Sequence, residues 1–482
     1  MPRAPGLAAL LLACHPPDPD PLGAGVRADV DPGVAGVWND AAPPDGGPNV
    51  LLVLLDDIGV DQVEAWGLGA DPAQTPVLDA LAQEGVRFTQ AYAQPVCSPT
   101  RAAVLTGRSP HQTGIGSQVV YQEQGWSLSP EETTLAEALR TRGYASTAVG
   151  KWHLDRRDAA GPDAPRTVGG FDRFTGFDDN LLSDGSDGLP VSYASWEETV
   201  DGVHGRVDHY NTTHLVDRAL EAVDAMPEPW FLYLAPAAAH RPFHVPPPQL
   251  HAVDPGDDGW RLAEMYDAMI GSVDAELGRL LSTLDPEVLA RTWVIVMADN
   301  GTPALLVQPP FPEDAGKGGV REGGVRVPLW MAGPGIEDPG RAVDHLVQAT
   351  DLFATVLDLA RHPDAHALAD DGTSLSLRPV LEDADAGPVR TWVAAERFEP
   401  LGLSGPYDLR EQMVRRADGL KLLRALDGSE SLYDLAADPF EAVDLLDGGE
   451  LDPEVEVELA ALRALADEVF GGGVRGGRSR AP

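Results

Sequence analysis

Cysteine and lysine are both scarce in this sequence of 482 residues. The two cysteines, Cys14 and Cys97, lie in separate motifs, so we expect no disulfide between them. Three lysines, Lys151, Lys317 and Lys421, leave arginine to supply the other 32 of the 35 basic side chains. An ammonium group is a compact point charge, whereas a guanidinium group is a planar fork. The three lysines are therefore candidates for sites that need a lysine specifically.

Positive charge is scarce as well. The chain has 35 basic against 76 acidic side chains, a formal net charge of −41. It lacks the basic surplus that would neutralise phosphates, so no nucleic-acid partner is expected. No apolar run is long enough to span a membrane, and there is no internal repeat. A hydrophobic content of 43% indicates a globular protein, long enough for one large domain with a smaller one.

The first 14 residues have the pattern of an export signal. Arg3 precedes an apolar stretch, residues 6–13, that is too short to cross a bilayer. Residues 11–14, L-L-A-C, resemble a bacterial lipoprotein cleavage box in which Cys14 would be lipidated. Ordinary secretion and an uncleaved tail are the alternatives. We expect an exported bacterial protein, periplasmic or membrane-anchored. Residues 15–47, rich in Pro, Asp, Gly and Ala, predict a disordered tether.

Two apolar runs end in adjacent oxygen-bearing side chains. N-V-L-L-V-L-L is followed by Asp56 and Asp57, and T-W-V-I-V-M-A by Asp299 and Asn300. Such runs predict buried parallel strands, and open α/β sheets bind ligands at the carboxyl ends of their strands. Because no cysteine or histidine cluster accompanies these hard oxygen ligands, they favour Ca²⁺ or Mg²⁺ over zinc. The alternative is that each pair merely terminates a strand.

Four other side chains follow predicted strands or lie in glycine-rich loops: Lys151, His153, His240 and Lys317. Together with Arg101 they would form a positive pocket suited to a small oxyanion. His244 is given no role, because Pro242 prevents a helical i, i+4 pairing with His240.

Residues 97–108 read C-S-P-T-R-A-A-V-L-T-G-R. A helix beginning near Thr100 would direct its free N–H groups toward Cys97 and favour an anion there. A buried core cysteine is one alternative, and a nucleophilic cysteine of low pKa beside Arg101 is another.

The same twelve residues resemble the signature of the sulfatase family, in which the cysteine is converted to formylglycine. Thr100 departs from it, because Ser or Ala is commoner there. Similar segments extend the resemblance from about residue 49 to residue 445: G-K-W-H-L, G-G-F-D-R-F-T-G and S-L-Y-D-L-A-A-D-P-F-E. The resemblance implies an α/β fold of the alkaline phosphatase superfamily, a large mixed β-sheet sandwiched by helices with a small C-terminal antiparallel sheet plus helix. The predicted boundaries are a catalytic domain at 48–388, a subdomain at 389–470 and a flexible tail at 471–482.

The resemblance also implies a reaction, the hydrolysis of a small-molecule or carbohydrate sulfate ester to an alcohol and sulfate. Formylglycine, made from Cys97 by a formylglycine-generating enzyme, would be the nucleophile. The implied ligands of Ca²⁺ or Mg²⁺ are Asp56, Asp57, Cys97, Asp299 and Asn300, and the implied catalytic residues are Cys97, Arg101, Lys151, His153, His240 and Lys317. Two alternatives remain: a phosphonate or phosphate ester hydrolase of the same superfamily, and a non-catalytic binding protein in which Cys97 stays a thiol.

Overall fold

A computed structural model describes residues 34–38, 46–119, 126–155, 161, 163–181, 191–257, 259–369, 372–447 and 451–471. The predicted export signal with Cys14, and the C-terminal tail beyond residue 471, lie outside the described residues. None of the described helices combines the length and the apolarity needed to cross a membrane. Within the segment predicted as a tether, residues 34–38 pack against the core. Trp38 is buried there, and its indole donates hydrogen bonds to the carbonyls of Leu289 and Thr292 at 3.1 and 3.0 Å.

A mixed sheet of ten strands forms the centre of the described structure, in the order β10-β2-β9-β8-β1-β7-β3-β4-β5-β6. The strands are β1 Asn49–Leu55, β2 Val86–Tyr92, β3 Ala145–Lys151, β4 Arg173–Phe177, β5 Trp196–Val200, β6 Val203–Val207, β7 Trp230–Ala235, β8 Thr292–Ala298, β9 Arg326–Ala332 and β10 Ala342–Gln348. β1, β7 and β8 are buried along their whole length, as their continuous apolar sequences predict. β8, β1, β7 and β3 are neighbours and run parallel, so their carboxyl ends lie on one edge.

Two groups of helices pack against this sheet, and the described part of the chain has thirteen helices in all. They are α1 Pro76–Glu84, α2 Cys97–Thr106, α3 Pro110–Thr113, α4 Leu135–Arg140, α5 Ala164–Thr167, α6 Asn211–Ala225, α7 Leu262–Thr283, α8 Pro286–Leu289, α9 Glu322–Val325, α10 Asp351–Leu359, α11 Ala365–Leu368, α12 Arg378–Glu382 and α13 Pro453–Gly471. Short 3₁₀ turns occur at Val60–Gln62, Glu64–Trp66, Pro248–Leu250 and Ala304–Leu306. α1, α6 and α7 pack together, and α2, α4 and α10 form a second group. The predicted layers of helix, sheet and helix are confirmed.

A second sheet is antiparallel and follows the first in the chain, in the order β11 Trp392–Glu399, β12 Leu409–Arg416, β13 Leu420–Ala425 and β14 Glu430–Asp434. α13 packs on it through Leu459 and Leu462. This confirms the predicted small C-terminal sheet plus helix. Lys421 on β13 is fully buried, and its ammonium contacts Glu322 at 2.9 Å and Glu441 at 2.7 Å. Lys421 therefore links the second sheet to α9, which packs beside β9 of the large sheet. It is not among the predicted catalytic residues.

Candidate active site

The candidate site lies at the shared carboxyl edge of β8, β1, β7 and β3. Each of these four strands leads directly into residues singled out from the sequence: Asp299 and Asn300 after β8, Asp56 and Asp57 after β1, His240 after β7, and Lys151 and His153 at and after β3. All of them are buried. Pairing of parallel strands thus brings together residues as distant in sequence as Asp57 and Asn300, which are 243 positions apart.

Cys97 enters this edge at the first residue of α2. The helix begins three residues earlier than predicted, because a proline at position 99 fits the first helical turn, where N–H groups have no partner in any case. All ten residues of α2 are buried, and Gly107 ends the helix with φ +69° and an N–H bond to Ala103 O. The Cys97 sulfur lies 3.5 Å from Asp56 Oδ1 and 3.9 Å from Asp57 Oδ1.

The geometry disfavours the alternative of a low-pKa nucleophilic cysteine. Burial, together with the nearby charge of Asp299, raises the pKa of the Cys97 thiol well above its ordinary value. The Arg101 guanidinium does not offset this rise in the pKa of Cys97, because it binds other groups. Its Nη2 lies 2.6 Å from Asp299 Oδ2 and its Nη1 donates to the Lys151 carbonyl at 3.1 Å.

Two of the three lysines contact the β1 carboxylates, Asp56 and Asp57, which directly follow strand β1. Lys151 Nζ contacts Asp56 Oδ2 at 2.5 Å, and Lys317 Nζ contacts Asp57 Oδ1 and lies 3.3 Å from the Cys97 sulfur. Burial alone would raise the pKa of Asp56, but the neighbouring cations, Lys151 first, outweigh it and hold that pKa well below its usual range. Burial would likewise lower the pKa of Lys317, but the charge of Asp57 outweighs it and raises that pKa.

His240 and His153 are both uncharged at neutral pH. Burial lowers the pKa of His240 to about 3 and that of His153 well below its ordinary value. His240 Nδ1 lies 2.8 Å from the Arg241 carbonyl, so it carries the proton and leaves Nε2 free, 3.9 Å from Asp57 Oδ2. His153 Nε2 lies 3.4 Å from Asp179.

The loop after β4 differs from the prediction in the part that the structure describes, residues 178–181, which are buried or half-buried. Residues 178–187 are predicted to be an exposed acidic loop, but Asp178 is buried and its carbonyl accepts the N–H of His153 at 2.9 Å. The reason is that β4 pairs in parallel with β3, so its end meets the end of β3. Residues 182–190 lie outside the described part of the chain.

The residues present fit a divalent cation. Ligand atoms of Asp56, Asp57, Cys97 and His240 all lie within 4.8 Å of one another. Asn300 Oδ1 is buried and has no hydrogen-bond partner among the described residues, while its amide nitrogen donates to Asp57 Oδ1 at 2.8 Å. The sequence pattern predicts no cysteine or histidine cluster beside these oxygen ligands, but the structure places His240 and Cys97 there. The three buried carboxylates and the unpartnered amide oxygen still supply hard donors, the kind that Ca²⁺ and Mg²⁺ prefer. Burial and the charge of Asp56 raise the pKa of Asp299, an electrostatic cost that a bound cation would reduce.

The sequence did not reveal the side chains that support this site. Tyr266 donates a hydrogen bond to the Asp57 carbonyl, and Tyr193 lies 2.6 Å from the His240 carbonyl. Asp61 and Thr302 form a buried hydrogen bond of 2.5 Å beside the ends of β1 and β8. Asp61 and Thr302 each lie within four residues of a predicted ligand pair. Proximity to such a pair is the only sequence signal that marks Asp61 and Thr302.

Comparisons with known proteins give the family. The model of the family described as Sulfatase matches residues 48–362. The "Uncharacterized sulfatase YdeN" of Escherichia coli (strain K12) is 30% identical over 397 residues, 73% of this chain and 69% of that protein. The N-acetylgalactosamine-6-sulfatase of Homo sapiens is 32% identical over 366 residues, 69% of this chain and 66% of that protein. The chain thus spans about two thirds of the length of these relatives.

Solved structures share the fold. "Ps i-CgsB" superposes with a TM-score of 0.72 at 24% identity, covering 88% of this chain and 93% of that one. BT4656, in complex with its substrate D-glucosamine-2-N,6-O-disulfate, gives 0.66 at 20% identity, covering 88% and 98%. The phosphonate monoester hydrolase SpPMH from Silicibacter pomeroyi gives 0.63 at 22% identity, covering 88% and 94%. Because the family model covers well over half of its length, the chain belongs to the sulfatase family of sulfuric ester hydrolases, within the alkaline phosphatase superfamily.

Proposed function

We propose that this protein hydrolyses a sulfate ester by means of a formylglycine made from Cys97. The observation that carries the proposal is the position of Cys97 at the start of a buried helix, between the β1 carboxylates and the Lys317 ammonium. A thiol whose pKa is raised by burial is a poor nucleophile at neutral pH. A hydrated aldehyde at the same position would supply two hydroxyls, one to attack sulfur and one to allow release of sulfate.

Asp56, Asp57, Asp299 and Asn300 would hold Ca²⁺ or Mg²⁺, together with the residue at position 97. The cation would supply Lewis-acid polarisation of a sulfate oxygen. Asp299 is aligned for this task from two sides, because Arg101 binds its Oδ2 and the backbone N–H of Asp57 donates to its Oδ1 at 3.2 Å.

The cationic side chains would bind the sulfate group and move protons. Lys151 and Lys317 reach the site from opposite parts of the chain and offer ammonium donors to the sulfate oxygens. Lys317 is a charged donor beside position 97, and we assign to it the proton delivered to the leaving alcohol oxygen. His240 presents an unprotonated Nε2 to the site and would hydrogen-bond that alcohol. His153, whose buried Nδ1 has no hydrogen-bond partner among the described residues, would take a proton from the hydrate.

Sulfated carbohydrates are the first substrates to test. The human relative is an N-acetylgalactosamine-6-sulfatase, and one solved neighbour holds a disulfated glucosamine. We would make the protein together with a formylglycine-generating enzyme and confirm the aldehyde by mass spectrometry of the peptide containing position 97. Turnover of a chromogenic aryl sulfate and of sulfated monosaccharides is expected, dependent on Ca²⁺ or Mg²⁺ and absent from Cys97→Ala. Equal activity in Cys97→Ala would refute the mechanism.

A phosphonate or phosphate ester hydrolase is the second candidate, because a phosphonate monoester hydrolase shares the fold. A ratio of kcat/KM on matched aryl phosphonate and aryl sulfate esters decides between them, and a ratio above one would favour the second. If the peptide of native protein carries an unmodified Cys97 thiol, a binding protein without turnover is the remaining function.

We also propose export to the periplasm, with Cys14 as a lipid anchor. The support is the sequence of residues 1–14 alone. Fractionation of bacteria that express the wild type and Cys14→Ser tests it. Release of the variant, but not of the wild type, from the membrane fraction is the expected result.

A further inference from the structure

Three segments of the site meet at Thr302. Its hydroxyl donates to Asp61 Oδ1 at 2.5 Å and accepts the backbone N–H of Gly59 at 3.2 Å. Its carbonyl accepts the backbone N–H of Lys317 at 2.8 Å. Gly59 and Asp61 follow the β1 carboxylates, and Thr302 follows Asp299 and Asn300, the β8 ligands. Lys317 lies in the glycine-rich loop that begins at Gly316.

The junction is tightly packed. Thr302 and Asp61 are fully buried. A Cβ on Gly59 would lie 2.4 Å from Thr302 Oγ1, and one on Gly316 would lie 2.8 Å from the Thr302 carbonyl. Both approaches are too close for any side chain. The two glycines therefore allow their backbones to reach Thr302, and the hydrogen bonds define the distance between the segments.

Asp61 is in turn held by the loop after β8. Its Oδ2 accepts Gln62 Nε2 at 3.0 Å and the backbone N–H of Gln308 at 2.9 Å. Gln62 Nε2 also donates to the Leu306 carbonyl at 3.0 Å. The Asp61 carboxylate thus joins the turn after β1 to both ends of residues 302–308.

We propose that Thr302 is a positioning residue: through its hydroxyl and its carbonyl it sets the separation of the β1 carboxylates, the β8 ligands and Lys317. It touches none of the reacting groups itself. The inference rests on the proposed function for the identity of the site as a cation site, but its test does not depend on turnover. Residues that orient metal ligands typically change metal affinity by about 10- to 100-fold when they are removed.

The chain offers matched variants. Thr302→Val keeps the shape and removes the hydroxyl, and Thr302→Ser restores the hydroxyl. Thr355 is an equally buried threonine whose hydrogen-bond partners lie outside the site: its hydroxyl donates to the Asp351 carbonyl at 2.7 Å and accepts the N–H of Leu377 at 2.9 Å. Thr355→Val therefore reports the general cost of deleting a buried hydroxyl.

The experiment is calorimetric titration of chelator-treated, full-length protein with CaCl₂ and, separately, MgCl₂, beside a thermal melt of each variant. The expected result is a Kd for the preferred ion raised about 10- to 100-fold in Thr302→Val, recovered in Thr302→Ser and unchanged in Thr355→Val. If Thr302→Val fails to fold, Thr302→Ala against Thr302→Ser gives the same comparison.

An unchanged metal affinity in Thr302→Val would overturn the inference. So would a metal affinity that falls as much in Thr355→Val as in Thr302→Val, because Thr302 would then have a purely structural role. A wild type that binds neither ion would overturn it as well. The proposed function can fail independently: if the metal affinities behave as expected but aldehyde-bearing wild type cleaves no sulfate ester, the positioning role stands and the reaction does not.

Discussion

Arg101 and Asp299 form an ion pair of 2.6 Å in which neither side chain is exposed to solvent. The pair connects α2, which carries Cys97, to the end of β8. Removal of one partner from a buried pair leaves the other charge unpaired and typically costs about 3–5 kcal/mol. We therefore expect Arg101→Met to lower the free energy of unfolding by about that amount, measured by urea denaturation.

The control for Arg101 is a surface pair of the same type. Arg291 and Glu228 lie 3.1 Å apart with 38% of each side chain exposed. Arg291→Met should cost no more than about 1 kcal/mol, since water screens exposed pairs. Equal losses from the two substitutions would contradict the view that burial gives the Arg101 pair its importance.

Lys317 is the second target, because its ammonium lies 3.3 Å from the Cys97 sulfur and also contacts Asp57. If it delivers a proton to the leaving oxygen, its loss should lower kcat by about 100- to 10,000-fold. Lys317→Met should show this fall with an aryl sulfate of poor leaving group and a much smaller fall with a good one, such as 4-nitrophenyl sulfate. An equal fall on both esters would assign Lys317 to sulfate binding only.

The strands that carry the site could be predicted from the sequence because their signal is local. β1 and β8 are continuous apolar runs, and the paired polar residues after them mark the carboxyl ends. The Cys97 segment, residues 97–108, is equally recognisable, because its signature lies in twelve consecutive residues. Local patterns do not predict contacts across the chain. The family resemblance groups Lys317 with Cys97, 220 positions away, but nothing in the sequence pairs Thr302 with Asp61, 241 positions away.

Local rules also failed in two places. The proline at position 99 suggested a helix beginning after it, although proline is well tolerated in a first turn. The acidic composition of residues 178–187 suggested an exposed loop, although pairing of β4 with β3 buries Asp178. In both cases tertiary packing, and not composition, decides which groups are exposed.

Lys421 is expected to matter for stability and not for chemistry. Its ammonium lies between two buried carboxylates, Glu322 and Glu441. Lys421→Met would leave them facing each other and should lower the free energy of unfolding by about 3–5 kcal/mol.

Arg424, also on β13, is partly exposed and pairs with Glu430 at 2.9 Å and with the exposed Asp467 at 2.7 Å. Its loss leaves Glu430 paired with Arg463 at 2.6 Å. Arg424→Met should cost about 1 kcal/mol or less.

The KM of Lys421→Met shows whether Lys421 acts in stability alone or also in catalysis. Below its melting temperature, Lys421→Met should retain wild-type KM for an aryl sulfate, since Lys421 contacts none of the side chains assigned to the site. A raised KM with unchanged stability would instead place Lys421 in substrate binding.

Asp267 on α7 provides a test of pH dependence away from the site. Burial, together with the charges of Asp71 and Glu264, raises its pKa to about 7. In the unfolded chain the pKa of an aspartate is about 3.9, so the folded state binds this proton more tightly. A raised folded pKa contributes stability at low pH, and that contribution is lost as the pH rises toward 7.

The substitution Asp267→Asn removes this titration. The free energy of unfolding of the wild type, minus that of the variant, should therefore fall as the pH rises from about 4 to about 7 and stay level above that range. Urea denaturation of both proteins at a series of pH values measures the difference. A constant difference would mean that the Asp267 carboxylate is as well solvated in the folded protein as in the unfolded chain. A difference that rises with pH would mean that a cation pairs with it in the folded state.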